Sequence, residues 1–353
     1  MPFRFGLIGA GVVAETHVAA MRLVPDVAVV AVADPDLERA RGFARRHEVP
    51  GVYATVDELL RQSPVDAVAI LTPHHLHLPA ARAAARAGRH VLVEKAIAHT
   101  VAAADEMIAV CRAAGVTLGG IFQNRFTEAG RALRAAVRDG ALGRVVLASV
   151  SVRVQRSTAY YEVAPWRGRR DQAGGGVLMV QAIHTIDLLQ WVLGMPRRVC
   201  ARATTAVHPI EVEDLVVGML ELEGGTLAVL EATTAAVPEV PPELTLHGER
   251  GTAVVFDSRG YLGFWASTPE RPSSLPDLWA LQRSLFHEQE ASRPSQASPE
   301  PHAEQIRDFV EAVRTGRPPA VDGPEARKAL VVIDALYRAA ASGGWVDVGD
   351  APR

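Results

Sequence analysis

An apolar strand that runs into a glycine-rich turn and then directly into a helix leaves a chain few choices of fold. Arg4 to Ile8 read as such a strand, and GLIGAGVVAETHVAAM continues it, with Gly9, Gly11 and Ala14 at three small positions. Each has a physical task. Gly9 permits the tight turn, Gly11 lets the backbone approach a pyrophosphate, and Ala14 lets the next helix pack closely on the strand. The helix expected from Val12 aims unpaired N–H groups and a positive dipole end at phosphates. Ala10, Val12 and Val13 therefore join the two glycines as expected cofactor contacts. A second apolar strand, VAVVAVAD, closes with Asp34, about 20 residues after Ala14, the spacing at which a carboxylate meets the adenosine ribose hydroxyls. The pattern predicts a doubly wound parallel Rossmann sheet that holds a dinucleotide. Asp34 favours NAD, because a carboxylate there accepts from a free ribose diol and repels the extra phosphate of NADP. Arg39 and Arg41 follow within two turns and moderate that repulsion, so NADP stays possible.

The βα rhythm then repeats: a helix over Leu37 to Arg46, the segment Thr55 to Gln62, and a strand Ala67 to Leu71 that stops at Thr72-Pro73. An Ala-rich helix, Pro79 to Ala87, leads to HVLVEK, a short apolar run that ends in Glu94 and Lys95. Helix Val101 to Ala114 and strand Val116 to Phe122 follow. Such alternation builds a parallel sheet, and in open α/β sheets the ligand crevice lies outside the carboxyl ends of the strands. Thr72, Pro73, Glu94, Lys95, Gln123, Asn124 and Arg125 face that crevice by position alone. The plain alternative for Lys95 is a lysine snorkelling from a strand end. His74, His75 and His77 read as a loop over a ribose. No Cys or carboxylate nearby completes a zinc set, and no metal is expected.

A chain of 353 residues is longer than one core usually grows, and the texture divides it into 1–123 and 124–353. Hydrophobic residues make up 48% and charged residues 22%, as in ordinary globular proteins. A net charge of -3 supplies no electrostatic reason to expect nucleic acid or an anionic membrane as partner. Cys111 and Cys200 form no metal-like or redox pair, which fits a reducing compartment. No charged leader is visible and no apolar run approaches the roughly 18 residues of a membrane span. The expectation is a cytoplasmic protein.

From Arg144 the chain reads as strands: Val145 to Val154, Arg198 to Val207, Leu215 to Leu222, Thr226 to Thr234, Leu244 to His247, Thr252 to Phe256 and Tyr261 to Trp265. Gly224-Gly225 and Arg250-Gly251 join them at hairpin spacing, predicting an open-faced antiparallel sheet in an α+β domain. Between the first two strands lie AYYEVAPWRGRRDQAGGG and the helix VLMVQAIHTIDLLQWVLG, whose Gln181, His184 and Asp187 recur every three residues on one polar side. A histidine on such a helix is more often structural unless something sets it against a ligand. Thr268 to Pro301 reads as a surface excursion with one helix over Leu278 to His287. Helices Ala303 to Thr315 and Asp322 to Ala341 then pack back.

Taken together, GLIGAG, TPHHLH, VLVEKA, FQNRF, APWRG, GGGVLMVQAIHTIDLLQW and HAEQIRDFVEAVRTGRPPAVDGPEARKAL resemble the Gfo/Idh/MocA oxidoreductases of sugars and cyclitols. The resemblance implies a Rossmann domain followed by an open-faced sheet domain, and hydride transfer between a secondary alcohol and NAD(P). Its Glu-Lys-Pro motif falls on Glu94, Lys95 and Ala96, its Trp-Arg pair beside the nicotinamide on Trp166 and Arg167, and its catalytic histidine on His184. Relatives commonly pair as dimers or tetramers, so a homo-oligomer is implied. Two positions depart. Ala96 replaces the proline, which should loosen the turn after Lys95. Val180 stands four residues before His184 where the family has Asp or Asn, and valine cannot fix the imidazole's tautomer. Gln181 and Asp187 are the candidates to substitute.

The expected chemistry has His184 as general base and Lys95 polarising the hydroxyl, with the two roles open to exchange if burial lowers the lysine's proton affinity. Tyr160, Tyr161, Arg125 and Gln181 are candidate contacts for substrate hydroxyls. Two other readings stand beside this one: a non-catalytic NAD-binding regulator or partner subunit, and a glycosidase or lyase that uses tightly held NAD for transient oxidation.

Overall fold

The structure, a computed structural model, describes residues 1–258, 261–270, 273–274, 277–278, 280 and 298–349. It forms two compact units, 1–123 with 298–327, and 124–297 with 328–353. The second unit is therefore not one run from 124 onward.

The first unit is built on β1 (Phe3–Ile8), β2 (Val27–Ala33), β3 (Gly51–Tyr53), β4 (Ala67–Ile70), β5 (His90–Val93) and β6 (Leu118–Gly120). They lie in the order β3-β2-β1-β4-β5-β6, and every neighbouring pair is parallel. Residues Ala67–Ile70 of β4 are buried throughout, as a strand covered on both faces must be. Helices α1 (Val12–Arg22), α2 (Leu37–His47), α3 (Val56–Gln62), α4 (His77–Arg86) and α5 (Val101–Ala113) connect them. Side chains satisfy several helix starts: Asp36 caps α2, Thr55 and Glu58 form a reciprocal capping box on α3, and Thr100 caps α5. The helix Glu300–Thr315 returns to this unit because its apolar stripe, Ala303, Ile306, Phe309 and Val310, completes the core around Phe5, Leu7 and Leu92. On its flank Gln305 accepts from the Phe122 amide at 3.0 Å and donates to the Gly120 carbonyl at 2.7 Å. Those bonds satisfy backbone that the short β6 leaves unpaired.

The second unit opens with α6 (Glu128–Arg138) and β7 (Val145–Arg153), and continues to α7 (Ile183–Leu193). Strands β8 (Pro196–Thr204), β9 (Leu215–Leu222), β10 (Leu227–Thr233), β11 (Glu243–Gly248), β12 (Thr252–Ser258), β13 (Tyr261–Ser267) and β14 (Val346–Asp347) complete it. The order is β13-β12-β11-β7-β10-β9-β8-β14. The expected hairpins at Gly224-Gly225 and Arg250-Gly251 join β9 to β10 and β11 to β12. The sheet is mixed rather than antiparallel throughout, since β7 pairs parallel with β10 and antiparallel with β11. Connectivity forces this. The chain leaves β10, crosses β7 and returns as β11 in the opposite sense, so β7 can be antiparallel to only one of them.

Along β9 and β10 buried residues alternate with exposed ones, the mark of a sheet covered on one face. The 24-residue stretch Arg170–Leu193 is long and apolar enough to cross a membrane, contrary to the sequence expectation, but 67% of its apolar window is buried inside the protein. It is the core helix of this unit. The helix expected over Leu278–His287 lies, beyond residue 280, outside the described residues.

Candidate active site

The turn after β1 has the shape its glycines predicted. Gly9 has φ +104°, and a Cβ there would sit 2.9 Å from the Leu71 carbonyl oxygen, so both conformation and space demand glycine. A Cβ on Gly11 would meet nothing within 4 Å, no side chain caps α1 at that end, and Val12 is 80% exposed. Ala14 is fully buried beneath them. An uncapped helix start with open space before it fits a pyrophosphate. Asp34 directly follows β2 and accepts from the Ala10 amide at 2.9 Å and the Asp36 amide at 2.9 Å. It also pairs with Arg39 at 2.6 Å. Burial would raise its proton affinity, but the Arg39 guanidinium and the two amides hold it below the usual carboxylate value. Arg39 alone answers the acid, because Arg41 pairs with Glu38.

Beyond β4, Thr72 and Pro73 are half-buried. The histidines that follow do not form an open loop. His77 is fully buried, with one ring nitrogen 2.8 Å from the Thr72 carbonyl and the other 3.0 Å from the Ala96 carbonyl. Burial pushes its pKa down, and His74 lies buried beside it, ring centroids 5.7 Å apart. This corrects the reading of His77 as a cofactor contact. Helix α4 starts at residue 77, two residues earlier than the sequence predicted, and carries the ring inward. It also corrects the expected loosening at Ala96, which is fully buried and held through its carbonyl.

Glu94, expected to face the ligand, turns into the unit instead. It is 7% exposed, and its Oε1 lies 2.7 Å from His17 Nε2. Burial raises the carboxyl's proton affinity, yet the His17 bond and the neighbouring charges hold it well below the usual range. Lys95 is half-buried at the carboxyl end of β5. Gln123 is half-buried at the head of a single 3-10 turn after β6. Among the described residues the buried set with the spacing of metal ligands is His17, Glu94 and His302, not the 74–77 loop.

In the second unit four of the singled-out residues converge. Trp166 and Arg167 share a 3-10 turn, Pro165–Gly168. The Arg167 guanidinium stacks 4.2 Å over the Tyr160 ring, and the Tyr160 hydroxyl accepts from Gln181 Nε2 at 3.1 Å. Tyr161 is drawn off to Thr234, 3.0 Å from its Oγ1. His184 is half-buried in the first turn of α7. Immediately before α7 the backbone is a π-helix, Leu178–Ala182, a feature common at functional sites. This extra-wide turn breaks the uniform 3.6-residue spacing behind the predicted polar face. Asp187 lies in the regular helix beyond that turn, and it too is not on an open side with His184. It is fully buried and takes Arg125 in a bidentate pair at 2.8 and 2.7 Å. The same pair removes Arg125, 4% exposed, from the set of open substrate contacts.

The sequence reading missed Glu213. Its carboxylate accepts from the Gly176 amide at 2.9 Å, the Leu178 amide at 3.2 Å and the Tyr337 hydroxyl at 2.7 Å, although burial raises its pKa. A Cβ on Gly176 would lie 1.9 Å from the Glu213 carbonyl oxygen. Glycines at 175 and 176 thus let Glu213 and Tyr337 clamp the start of the helix that carries His184. The run of three glycines was the available signal, but nothing local points to position 213.

Comparison with known proteins matches residues 3–122 to the family model described as the oxidoreductase family, NAD-binding Rossmann fold. Residues 131–254 match the Gfo/Idh/MocA C-terminal domain. The chain is 34% identical over 254 residues to 1,5-anhydro-D-fructose reductase from Ensifer adhaerens, covering 71% of this chain and 75% of that protein. Its fold is similar to the WlbA dehydrogenase of Bordetella pertussis, crystallised with NADH and UDP-GlcNAcA, with TM-score 0.84, 27% identity and coverage of 98% and 99% of the two chains. Aldose-aldose oxidoreductase from Caulobacter crescentus is similar at TM-score 0.84 and 26% identity, over 98% of this chain and 100% of that one. With its open, glycine-lined helix start, Asp34 directly after β2 and matches in both units, the chain belongs to the Gfo/Idh/MocA family of NAD-binding oxidoreductases.

Proposed function

We propose that the protein oxidises, or in reverse forms, a secondary alcohol on a sugar, sugar acid or cyclitol, with Lys95 and His184 touching the reacting group. Lys95 carries the reading. The chain has 37 basic Lys and Arg residues and only two of them, Lys95 and Lys328, are lysines. Where an arginine would serve as a charge, this chain uses arginine; at the end of β5 it keeps a compact ammonium with three rotatable donors, which can follow a developing alkoxide as a planar guanidinium fork cannot. Gly9 to Val13 would hold the pyrophosphate and Asp34 the adenosine ribose. Bound NAD supplies the two-electron acceptor for the carbinol C–H.

The protein's own part is proton management and placement. Lys95 donates a hydrogen bond to the hydroxyl oxygen and stabilises the developing alkoxide, while a neutral His184 nitrogen takes the hydroxyl proton. Tyr160, Gln181 and Arg167 present hydroxyl, amide and guanidinium groups suited to a polyhydroxylated ligand. The names of the relatives, an anhydrofructose reductase and a dehydrogenase bound to a sugar nucleotide acid, support that class. The test is incubation with NAD and a panel of anhydro sugars, uronic acids and inositols. Net NADH is expected with at least one; no turnover of any kind would favour the regulator, and product without net NADH the transient-oxidation enzyme.

Val180 motivates a second measurement. Placing a carboxylate before His184 would stabilise its protonated form, so Val180→Asp is expected to raise kcat with generic polyols roughly tenfold, a fraction of a full acid–base contribution. An unchanged or lower rate in a folded variant would count against the inference that valine limits the relay.

The uncovered sheet face supports the homo-oligomer reading. Leu147, Val217, Met219, Leu227 and Val229 lie on neighbouring strands and are 38–53% exposed, a contiguous apolar patch of the sort that marks an interface. Sedimentation equilibrium is expected to show a dimer or larger, dissociated by Met219→Lys with Val229→Glu. A monomeric parent protein at micromolar concentration would rule this out.

A further inference from the structure

The chemistry above leaves unused a group of buried residues in the first unit. His17, on α1, is fully buried. Its Nε2 carries the hydrogen of the bond to Glu94, because an ionised carboxylate only accepts. The other carboxylate oxygen, Oε2, accepts from the Lys95 backbone amide at 3.1 Å. His302, in the first turn of the helix Glu300–Thr315, is 5% exposed and packs edge-on to His17, ring centroids 5.5 Å apart. Nδ1 of each ring is buried without a hydrogen-bond partner. Two imidazoles from separate helices thus wall one carboxylate that adjoins the candidate catalytic lysine.

We propose that His17 and Glu94 are positioning residues for Lys95: the imidazole pins the carboxylate, and the pinned carboxylate holds the lysine side chain as an ammonium at the end of β5. The proposal rests on the function proposed above and sharpens it. Sequence reasoning left open whether Lys95 or His184 removes the hydroxyl proton; a carboxylate held by its His17 bond beside Lys95 assigns it the donor's part and leaves the base to His184.

The groups facing Glu94 come from four elements. His17 lies on α1, His302 on the helix Glu300–Thr315, His77 on α4, and Lys95 on its own segment. Burial, followed by the neighbouring His17, pushes His302 down to about 4, so it is an uncharged wall at working pH. Burial likewise depresses His77. Lys95 is the further charged group that acts on Glu94 and lowers its proton affinity. An opposite charge within about 4–6 Å of a titrating group typically moves its pKa by about 1–3 units.

The composition of the chain makes a direct measurement practical. Reductive methylation with 13C-formaldehyde labels Lys95, Lys328 and the N-terminal amine, and Lys328→Arg assigns the signals. Titrated by NMR without NAD, the Lys95 signal is expected to shift its midpoint down by about one unit or more in Glu94→Gln and His17→Ala. His17→Gln, whose amide can donate in place of the ring, should restore most of it, and His302→Phe should leave it in place. The limb of the kcat/KM pH profile that reports Lys95 should move with it. A Lys95 midpoint unmoved in folded Glu94→Gln overturns the proposal, as does an equal shift in His302→Phe, which would mean packing rather than charge. Retained turnover in Lys95→Met would instead overturn the functional reading, and the NMR midpoints would still judge the role of Glu94.

Discussion

Lys95→Met is expected to lower kcat/KM for an accepted sugar by about 100-fold or more, the usual scale of losing one preorganised donor to a developing oxyanion. Methionine keeps the length and apolar stem of the lysine and removes only the ammonium. The affinity for NAD should change little, since Gly9 to Val13 and Asp34 are untouched. Lys95→Arg makes the complementary point. It keeps the charge, but its planar fork fixes the donors in a geometry that the compact ammonium does not share, so a loss of similar size is expected. Stopped-flow measurement of NADH formation under single-turnover conditions separates a slowed chemical step from slowed product release. Turnover of Lys95→Met within about tenfold of the parent would remove the ammonium's contact with the reacting oxygen from the mechanism.

Asp187→Ala is expected to cost the second unit about 3–5 kcal/mol, because it abandons a buried charge. The side chains of Arg125 and Asp187 are 3% and 1% exposed, and Gln190 also donates to the carboxylate at 3.0 Å. Arg125 lies within 5.5 Å of the Trp191 ring centroid, so losing the acid strands the guanidinium against an aromatic face. The double replacement Arg125→Met with Asp187→Leu removes both charges and should recover most of the loss. A fall in denaturation midpoint for Asp187→Ala, largely reversed in the double variant, is the expected pattern. A loss below about 1 kcal/mol for the single change, the scale of an exposed pair, would show that water reaches this site.

Both experiments concern cations that looked alike from their places in the chain. Lys95 and Arg125 each follow a β-strand of the parallel sheet, and the rule for strand ends assigned both to the ligand. Lys95 keeps that assignment as a proposal; Arg125 is matched to an acid 62 residues away on α7. His77 and Glu94 taught the same lesson in the first unit, one bound to backbone carbonyls and the other to His17.

What the sequence determined by itself is whatever depends on neighbours a few residues apart. The glycine turn after β1, the succession of buried strands and helices, the hairpins at Gly224-Gly225 and Arg250-Gly251, and the placing of Lys95 at a strand end all follow from local φ/ψ limits and hydrophobic period. Tertiary structure alone decided which distant groups are answered and by whom: Arg125 by Asp187, Glu94 by His17, and the Gly176 and Leu178 amides by Glu213. It also decided that β7 runs parallel to β10 and that residues 298–327 complete the first unit. The physical reason is range. A backbone preference is settled by adjacent atoms, whereas a buried charge or an unpaired strand takes whatever partner the completed packing brings within about 3 Å, and no local pattern records which one that is.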